Sequence, residues 1–150
     1  FAMMYLSQLV AEMMIEQGRG QIVFLSSISG KLSTPYSSVY SASKSAIIGY
    51  ADALRIELKR SGVGVTMINP GPVKTPFFTR TEALETYYKR IERFALKTED
   101  VAKKLIHAMI QGRREVNLPF ALKTAAIISP LVPRLSDFLK GNLFNFKEGL

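Results

Sequence analysis

The sequence predicts an α/β chain organised as a doubly wound parallel sheet, and three observations carry that expectation. Segments of helical and strand character follow one another in the order helix, strand, helix, strand, helix, strand. The run QIVFL at 21–25 is continuous in branched and aromatic residues, as a strand covered on both faces would be. Between it and the next apolar run, VGVTMI at 63–68, lies a stretch long enough for the crossover helix that parallel neighbours need.

Residues 1–17 read as a helix: Ala2, Leu6, Leu9, Val10 and Met13 fall on one face, and Gly18 supplies a stop. The paired methionines at 3 and 4 and at 13 and 14 read as packing on that helix. After the strand at 21–25, SSISG breaks the pattern, and a second helix is expected over about 38–60, ending before Gly62. VGVTMI alternates toward a strand that NPGP terminates. A loop rich in proline and threonine leads to a polar helix over about 81–95. Thr98 is an N-cap candidate, with Glu99 and Asp100 in the first turn of a helix that buries Val101, Leu105, Ala108 and Met109. REVNLP reads as a third strand, and a mixed helical tail follows.

A chain of 150 residues, 47% hydrophobic, can bury a core of its own. It has no cysteine, which excludes disulfides and cysteine-based metal or redox sites and fits a cytoplasmic setting. The formal charge of +8 arises from 20 basic against 12 acidic residues spread along the chain. Without a basic block or a stacking pattern of aromatics, no nucleic acid is expected as a partner, whereas a phosphate-bearing small molecule suits the charge. The stretch TAAIISPLVP at 124–133 falls short of the roughly 20 residues of a spanning helix and holds two prolines. The opening FAMMYLSQLVAEMM, with no initiating methionine, is expected to belong to a fragment.

If the first two strands are parallel, both end at the same sheet edge, the edge outside which such folds bind ligands. The serines after the first strand, the start of the crossover helix and the Asn-Pro-Gly turn then converge on one crevice. On that helix Tyr40 and Lys44 stand one turn apart on one face. A phenol is a weak acid at neutral pH, and a neighbouring ammonium favours its ionised form. A separate face carries Ala42, Ala46, Gly49 and Ala53, small enough for close packing against the sheet or a partner helix. Tyr-x-x-x-Lys alone arises often by chance, most commonly as a half-buried tyrosine beside a solvated lysine. Ser27, thirteen residues before Tyr40, adds a hydroxyl that could hold a substrate oxygen beside the phenol, and on chemistry alone Ser26 competes with it.

Read together, GQIVFLSSISG, PYSSVYSASKSA and GVGVTMINPGPVKTPF resemble, in order and spacing, the catalytic-serine, Tyr-x-x-x-Lys and Pro-Gly segments of the classical short-chain dehydrogenase/reductase family. The resemblance implies a partial Rossmann-type fold, with residues 1–150 as the C-terminal part of a single domain and the N-terminal cofactor-phosphate half absent. It implies Ser27 orienting the substrate oxygen, preferred over Ser26 by the family's spacing, Tyr40 as general acid-base, and Lys44 tuning Tyr40 while holding the nicotinamide ribose. It further implies Pro70 and Gly71 lining the nicotinamide pocket and Val73 and Thr75 holding the carboxamide of NAD or NADP. No glycine-rich phosphate loop occurs: GRG at 18–20 precedes a strand rather than following one. The family's active-site asparagine would fall just before Phe1.

The tail, KTEDVAKKLIHAMIQGRREVNLPFALK and then PLVPRLSDFL, is similar more loosely to the hydroxysteroid dehydrogenase type and its bacterial relatives. That likeness implies a substrate-covering loop over 77–96 and a lipophilic wall or membrane contact over 118–139, with ordinary core and oligomer packing preferred over membrane contact. His107 is expected in solvent, away from the apolar stripe, and Arg113 and Arg114 beside Glu115 as a solvated cluster in a turn. The leading expectation is hydride transfer between NAD or NADP and a small carbonyl or alcohol substrate, and the family resemblance alone implies a homo-oligomer with the first helix and the Tyr40 helix as interface. The alternative is a non-catalytic, truncated or degenerate module acting in association.

Overall fold

A computed structural model describes residues 2–79 and 82–143. Residue 1, the predicted start of the first helix, and residue 81, the predicted start of the polar helix, lie outside the described residues.

The element order is α1 (Ala2–Glu16), β1 (Gly20–Leu25), a 3₁₀ turn (Ile28–Gly30), α2 (Ser38–Glu57), β2 (Val63–Pro70), α3 (Glu82–Ile91), α4 (Thr98–Ile110), β3 (Glu115–Leu118), α5 (Phe120–Ile128) and α6 (Pro133–Leu143). The strands form one parallel sheet in the order β1-β2-β3. Helices cover both faces, which is the doubly wound arrangement. On one side Phe24, Val63, Val65 and Met67 of the sheet pack with Ala11 of α1 and Ala51 and Leu54 of α2. On the other, Ile68, Val23 and Val116 meet Val101, Leu105 and Ala108 of α4. Strand alternation divides the residues in this way: Met67 and Ile68 are neighbours in sequence and belong to opposite layers.

Central β2 is buried everywhere except at Gly64. It runs two residues beyond its predicted end, because β3 continues to pair with it at Asn69↔Asn117 and Pro70↔Leu118. β1 has already ended at Leu25↔Ile68, so the missing N–H of Pro70 costs no ladder bond on that side. β1 is less covered than its composition suggests. Only Phe24 is buried and Leu25 is exposed, since β1 pairs with β2 alone among the described residues.

The apolar stripe of α1 does not face the sheet. Ser7 and Ala11 are buried and Met3 and Met14 pack on the core, whereas Leu6, Leu9 and Met13 are 63%, 52% and 60% exposed. Polar bonding fixes this rotation: the Ser7 and Tyr50 hydroxyls lie 2.8 Å apart, and both reach the Met4 carbonyl. The small face of α2 also looks outward, with Ala42, Ala46, Gly49 and Ala53 all exposed. Close packing of that face against the sheet is therefore ruled out.

Gly18 ends α1 with a φ of 67°. Thr98 is the first residue of α4 and Lys97 its cap; the Thr98 hydroxyl donates instead to the Lys74 carbonyl, 2.9 Å away, tying the loop after β2 to α4. Met109, predicted in the buried stripe, is exposed at the margin of α4, and His107 is exposed as expected. Among the described residues no helix is long and apolar enough to cross a membrane.

Candidate active site

The parallel register of β1 and β2 brings their carboxyl ends together. The Ser26 amide donates to the Ile68 carbonyl at 2.9 Å, extending the pairing one residue past β1. There the chain leaves the sheet in the 3₁₀ turn, capped by Ser27, whose hydroxyl accepts from the Ser29 amide at 3.2 Å and lies 3.4 Å from the Pro70 carbonyl, to which it donates. The two serines, both buried, point their hydroxyls to different segments: that of Ser26 donates to the Lys44 carbonyl on α2 at 2.9 Å.

The turn is pressed onto α2. The Ser45 hydroxyl donates to the Gly30 carbonyl at 2.7 Å, and a β-carbon at Gly30 would stand 2.8 Å from the Lys44 carbonyl carbon and from Ile48 Cδ1. Only glycine allows this approach. On its other side the turn rests on α5, where Ile28 and Leu32 pack with Ala126.

Tyr40 and Lys44 share one face of α2 near its start, and the Lys44 ammonium stands 5.6 Å from the centroid of the Tyr40 ring. Tyr40 is 40% exposed. Its ring lies 6.5 Å from that of Phe77, which contacts Phe78 edge-on at 5.2 Å, and Phe78 stacks on Tyr88 of α3 at 4.8 Å. An aromatic row thus runs from the phenol into the segment after β2.

Pro70 ends β2, and the Gly71 amide donates to the Leu118 carbonyl at 2.7 Å. Val73 is bridged in parallel to Leu96 through the Pro72 carbonyl and the Lys74 amide. In that pattern the amide and carbonyl of Val73 itself point away from Leu96, and neither has a hydrogen-bond partner among the described residues. Thr75 is exposed just beyond. Ser27, Tyr40, Lys44, Pro70, Gly71, Val73 and Thr75 therefore belong to three segments that meet at one end of the sheet.

The Asn-Pro-Gly segment was expected in this region, but the partners of its asparagine, Glu115 and Asn117, and their link to Lys31 were not legible as part of it. Asn69, fully buried before Pro70, donates through Nδ2 to Glu115 Oε1 at 2.6 Å and to Asn117 Oδ1 at 2.9 Å. Glu115 also pairs with Lys31, just past the 3₁₀ turn. Glu115 is thus a half-buried strand residue and not part of a solvated turn; of the expected cluster only Arg113 and Arg114 are exposed, the latter bonded to Asp52 of α2 at 3.0 Å. Pairing between β2 and β3 creates this contact, and residue spacing holds no sign of it.

An open cleft of about 530 Å³ lined by Lys74, Lys89, Glu92 and Arg93 lies apart from the Ser27, Tyr40 and Lys44 group. Its charges are solvated, and Lys74 already faces Glu92 at 3.9 Å. Among the described residues no cluster of His, Cys, Asp or Glu could hold a metal ion.

Residues 1–86 match the family model described as short chain dehydrogenase. The chain belongs to the short-chain dehydrogenase family. Within it, the chain is similar to the uncharacterized oxidoreductase YbbO of Escherichia coli, 38% identical over 121 residues that make up 77% of this chain and 45% of that protein. It is also similar to dehydrogenase/reductase SDR family member 7B of Danio rerio, 34% identical over 85% of this chain and 42% of the relative. The chain therefore spans less than half the length of these relatives. A short-chain dehydrogenase/reductase from Burkholderia phymatum, solved with NAD, shares the fold with a TM-score of 0.71 at 24% identity, over 85% of this chain and 53% of that one. A Sphingobium yanoikuyae short-chain dehydrogenase solved with NADPH gives 0.69 at 21%, over 88% and 51%.

Proposed function

We propose that the protein to which this chain belongs is an NAD- or NADP-dependent oxidoreductase that interconverts a carbonyl and a secondary alcohol, with Tyr40 as general acid-base. The observation that carries this reading is the placement of the Lys44 ammonium 5.6 Å from the Tyr40 ring centroid, on a helix whose Lys44 carbonyl takes the hydroxyl of Ser26, the neighbour of Ser27. A bound nicotinamide supplies or accepts the hydride. In the reducing direction Tyr40 Oη gives its proton to the substrate oxygen, and the Lys44 charge stabilises the negative charge that the phenol oxygen acquires. Ser27 exchanges its long bond to the Pro70 carbonyl for one to the same substrate oxygen, holding it beside the phenol. Alcohol oxidation runs these proton movements in reverse.

Residues at the end of β2 suit the cofactor. A nicotinamide carboxamide offers a donor and an acceptor, and the main-chain carbonyl and amide of Val73, unpaired among the described residues, are their complement. In this reading Thr75 adds a side-chain hydroxyl beyond Val73, Pro70 and Gly71 line the nicotinamide pocket, and Lys44 holds the ribose.

A homo-oligomer joined through α1 and α2 belongs to the same proposal. Leu6, Leu9 and Met13 form an exposed apolar strip, and the exposed small face of α2 would admit a partner helix at close range.

Titration of the full-length protein with NADH and with NADPH, following nicotinamide fluorescence and then carbonyl reduction, tests the reading. Saturable binding of at least one cofactor with turnover of a ketone is expected. Binding of neither, with no turnover across a panel of aldehydes and ketones, would overturn it in favour of a non-catalytic module.

A further inference from the structure

We propose that Glu115 is a positioning residue for this active site, acting through Lys31 and Asn69 to lock the Ser27 turn against the Pro70–Gly71 turn. The inference rests on the oxidoreductase reading for its kinetic consequences and on geometry alone for its mechanical ones.

Asn69 shares a sheet face with Met67, and the parallel register places Glu115 beside Met67 and Asn117 beside Asn69. Both hydrogens of the Asn69 amide are taken by β3: one by Glu115 at 2.6 Å, one by Asn117 at 2.9 Å. The Asn69 carbonyl oxygen is buried and has no partner among the described residues. An unpaired buried carbonyl is unfavourable, so the orientation of this side chain is set by its two acceptors against that cost. The next residue along the backbone is Pro70, whose carbonyl takes the Ser27 hydroxyl.

Glu115 then reaches a second segment. Its carboxylate pairs with Lys31, immediately after the 3₁₀ turn that Ser27 caps. The turn is therefore tied at both ends to the same pair of strands, by Ser27 to Pro70 and by Lys31 to Glu115. The side chains of Lys31 and Glu115 are 29% and 20% exposed, which screens the pair less than a surface ion pair. Asn69, Glu115 and Lys31 thus connect the end of β2, the start of β3 and the loop after β1. Removing the carboxylate frees one hydrogen of the Asn69 amide, leaving the bond to Asn117, and frees the Lys31 ammonium with it, so both turns lose a restraint.

The test uses the full-length protein with Lys31→Met, Glu115→Gln, Glu115→Ala and the double variant Lys31→Met/Glu115→Ala. Glu115→Ala is expected to lower kcat about 10- to 100-fold through misplacement of the reacting groups, with KM for the cofactor within about two-fold. Glu115→Gln, which keeps an acceptor for Asn69, is expected to recover most of that loss. The double variant is expected to fall no further than Glu115→Ala, because both substitutions break one linkage. Amide hydrogen exchange at Ser29, Gly30 and Gly71 is expected to speed up about ten-fold or more in Lys31→Met and Glu115→Ala, with Val65 and Met67 unchanged.

Unaltered exchange at those three amides, a uniform rise across the sheet, or equal damage from Gln and Ala would overturn the proposal. If Glu115→Ala does not fold, the exchange and kcat of Lys31→Met decide the matter alone. If the unaltered protein turns nothing over, the oxidoreductase reading fails, and the exchange pattern still supports or overturns the clamp.

Discussion

The hydroxyl of Ser26 donates to the main-chain carbonyl of Lys44 at 2.9 Å, which ties the end of β1 to the helix turn that carries Tyr40. Its neighbour Ser27 turns toward the other strand end, at Pro70. Adjacent serines with the same chemistry thus hold different segments.

This difference separates their variants. Ser26→Ala should cost about 1 kcal/mol of stability through loss of one buried hydrogen bond, with kcat within about three-fold. Ser27→Ala, which also removes the cap of the turn and its bond to Pro70, should cost a similar amount of stability, about 1 kcal/mol, and lower kcat about 100- to 1,000-fold. Thermal melts beside steady-state kinetics read both. A larger kcat loss for Ser26→Ala would reverse the assignment of the hydroxyl that meets substrate.

Gly30 sets how closely the Ser27 turn can lie on α2. In Gly30→Ala the added methyl meets the Lys44 backbone at 2.8 Å and Ile48 Cδ1 at the same distance, and helix backbone does not yield. A destabilisation of about 1–3 kcal/mol is expected, as for overpacking of a core. Kinetics should suffer too, because relieving the contact pushes Ser27 away from Tyr40. Chemical denaturation would measure the first effect and single-turnover reduction the second; wild-type values for both would show that the turn has room to move.

Most of the sheet and the convergence at its carboxyl edge were legible in the sequence because both rest on local signals. QIVFL and VGVTMI are short apolar runs, and strand, turn and helix follow from them with small errors at the ends. Where a helix turns its faces is a tertiary outcome. The stripe of Leu6, Leu9 and Met13 looks like a core face, yet the Ser7 and Tyr50 hydroxyls rotate α1 so that Ala11 and Met14 meet the sheet. Glu115 shows the same limit at the site. Next to two arginines it resembles a solvated charge, and only the register of β3 on β2 carries it to Asn69, 46 residues away.

The outward strip of α1 gives a prediction about assembly. Leu9→Asp places a charge amid exposed apolar residues, where a monomer would tolerate it and a packed interface would not. Sedimentation velocity of the full-length protein is expected to show a dimer or larger species that shifts toward monomer in the variant. An unaltered sedimentation coefficient would place the interface elsewhere.

The central claim is that Tyr40 moves the proton. Tyr40→Phe keeps the ring, its neighbours Lys44 and Phe77, and the fold, and removes only the hydroxyl. In single-turnover reduction of a ketone by the full-length protein with its preferred cofactor, kcat is expected to fall about 100- to 10,000-fold while cofactor binding stays within about three-fold. Reduction at the unaltered rate by Tyr40→Phe would contradict the account.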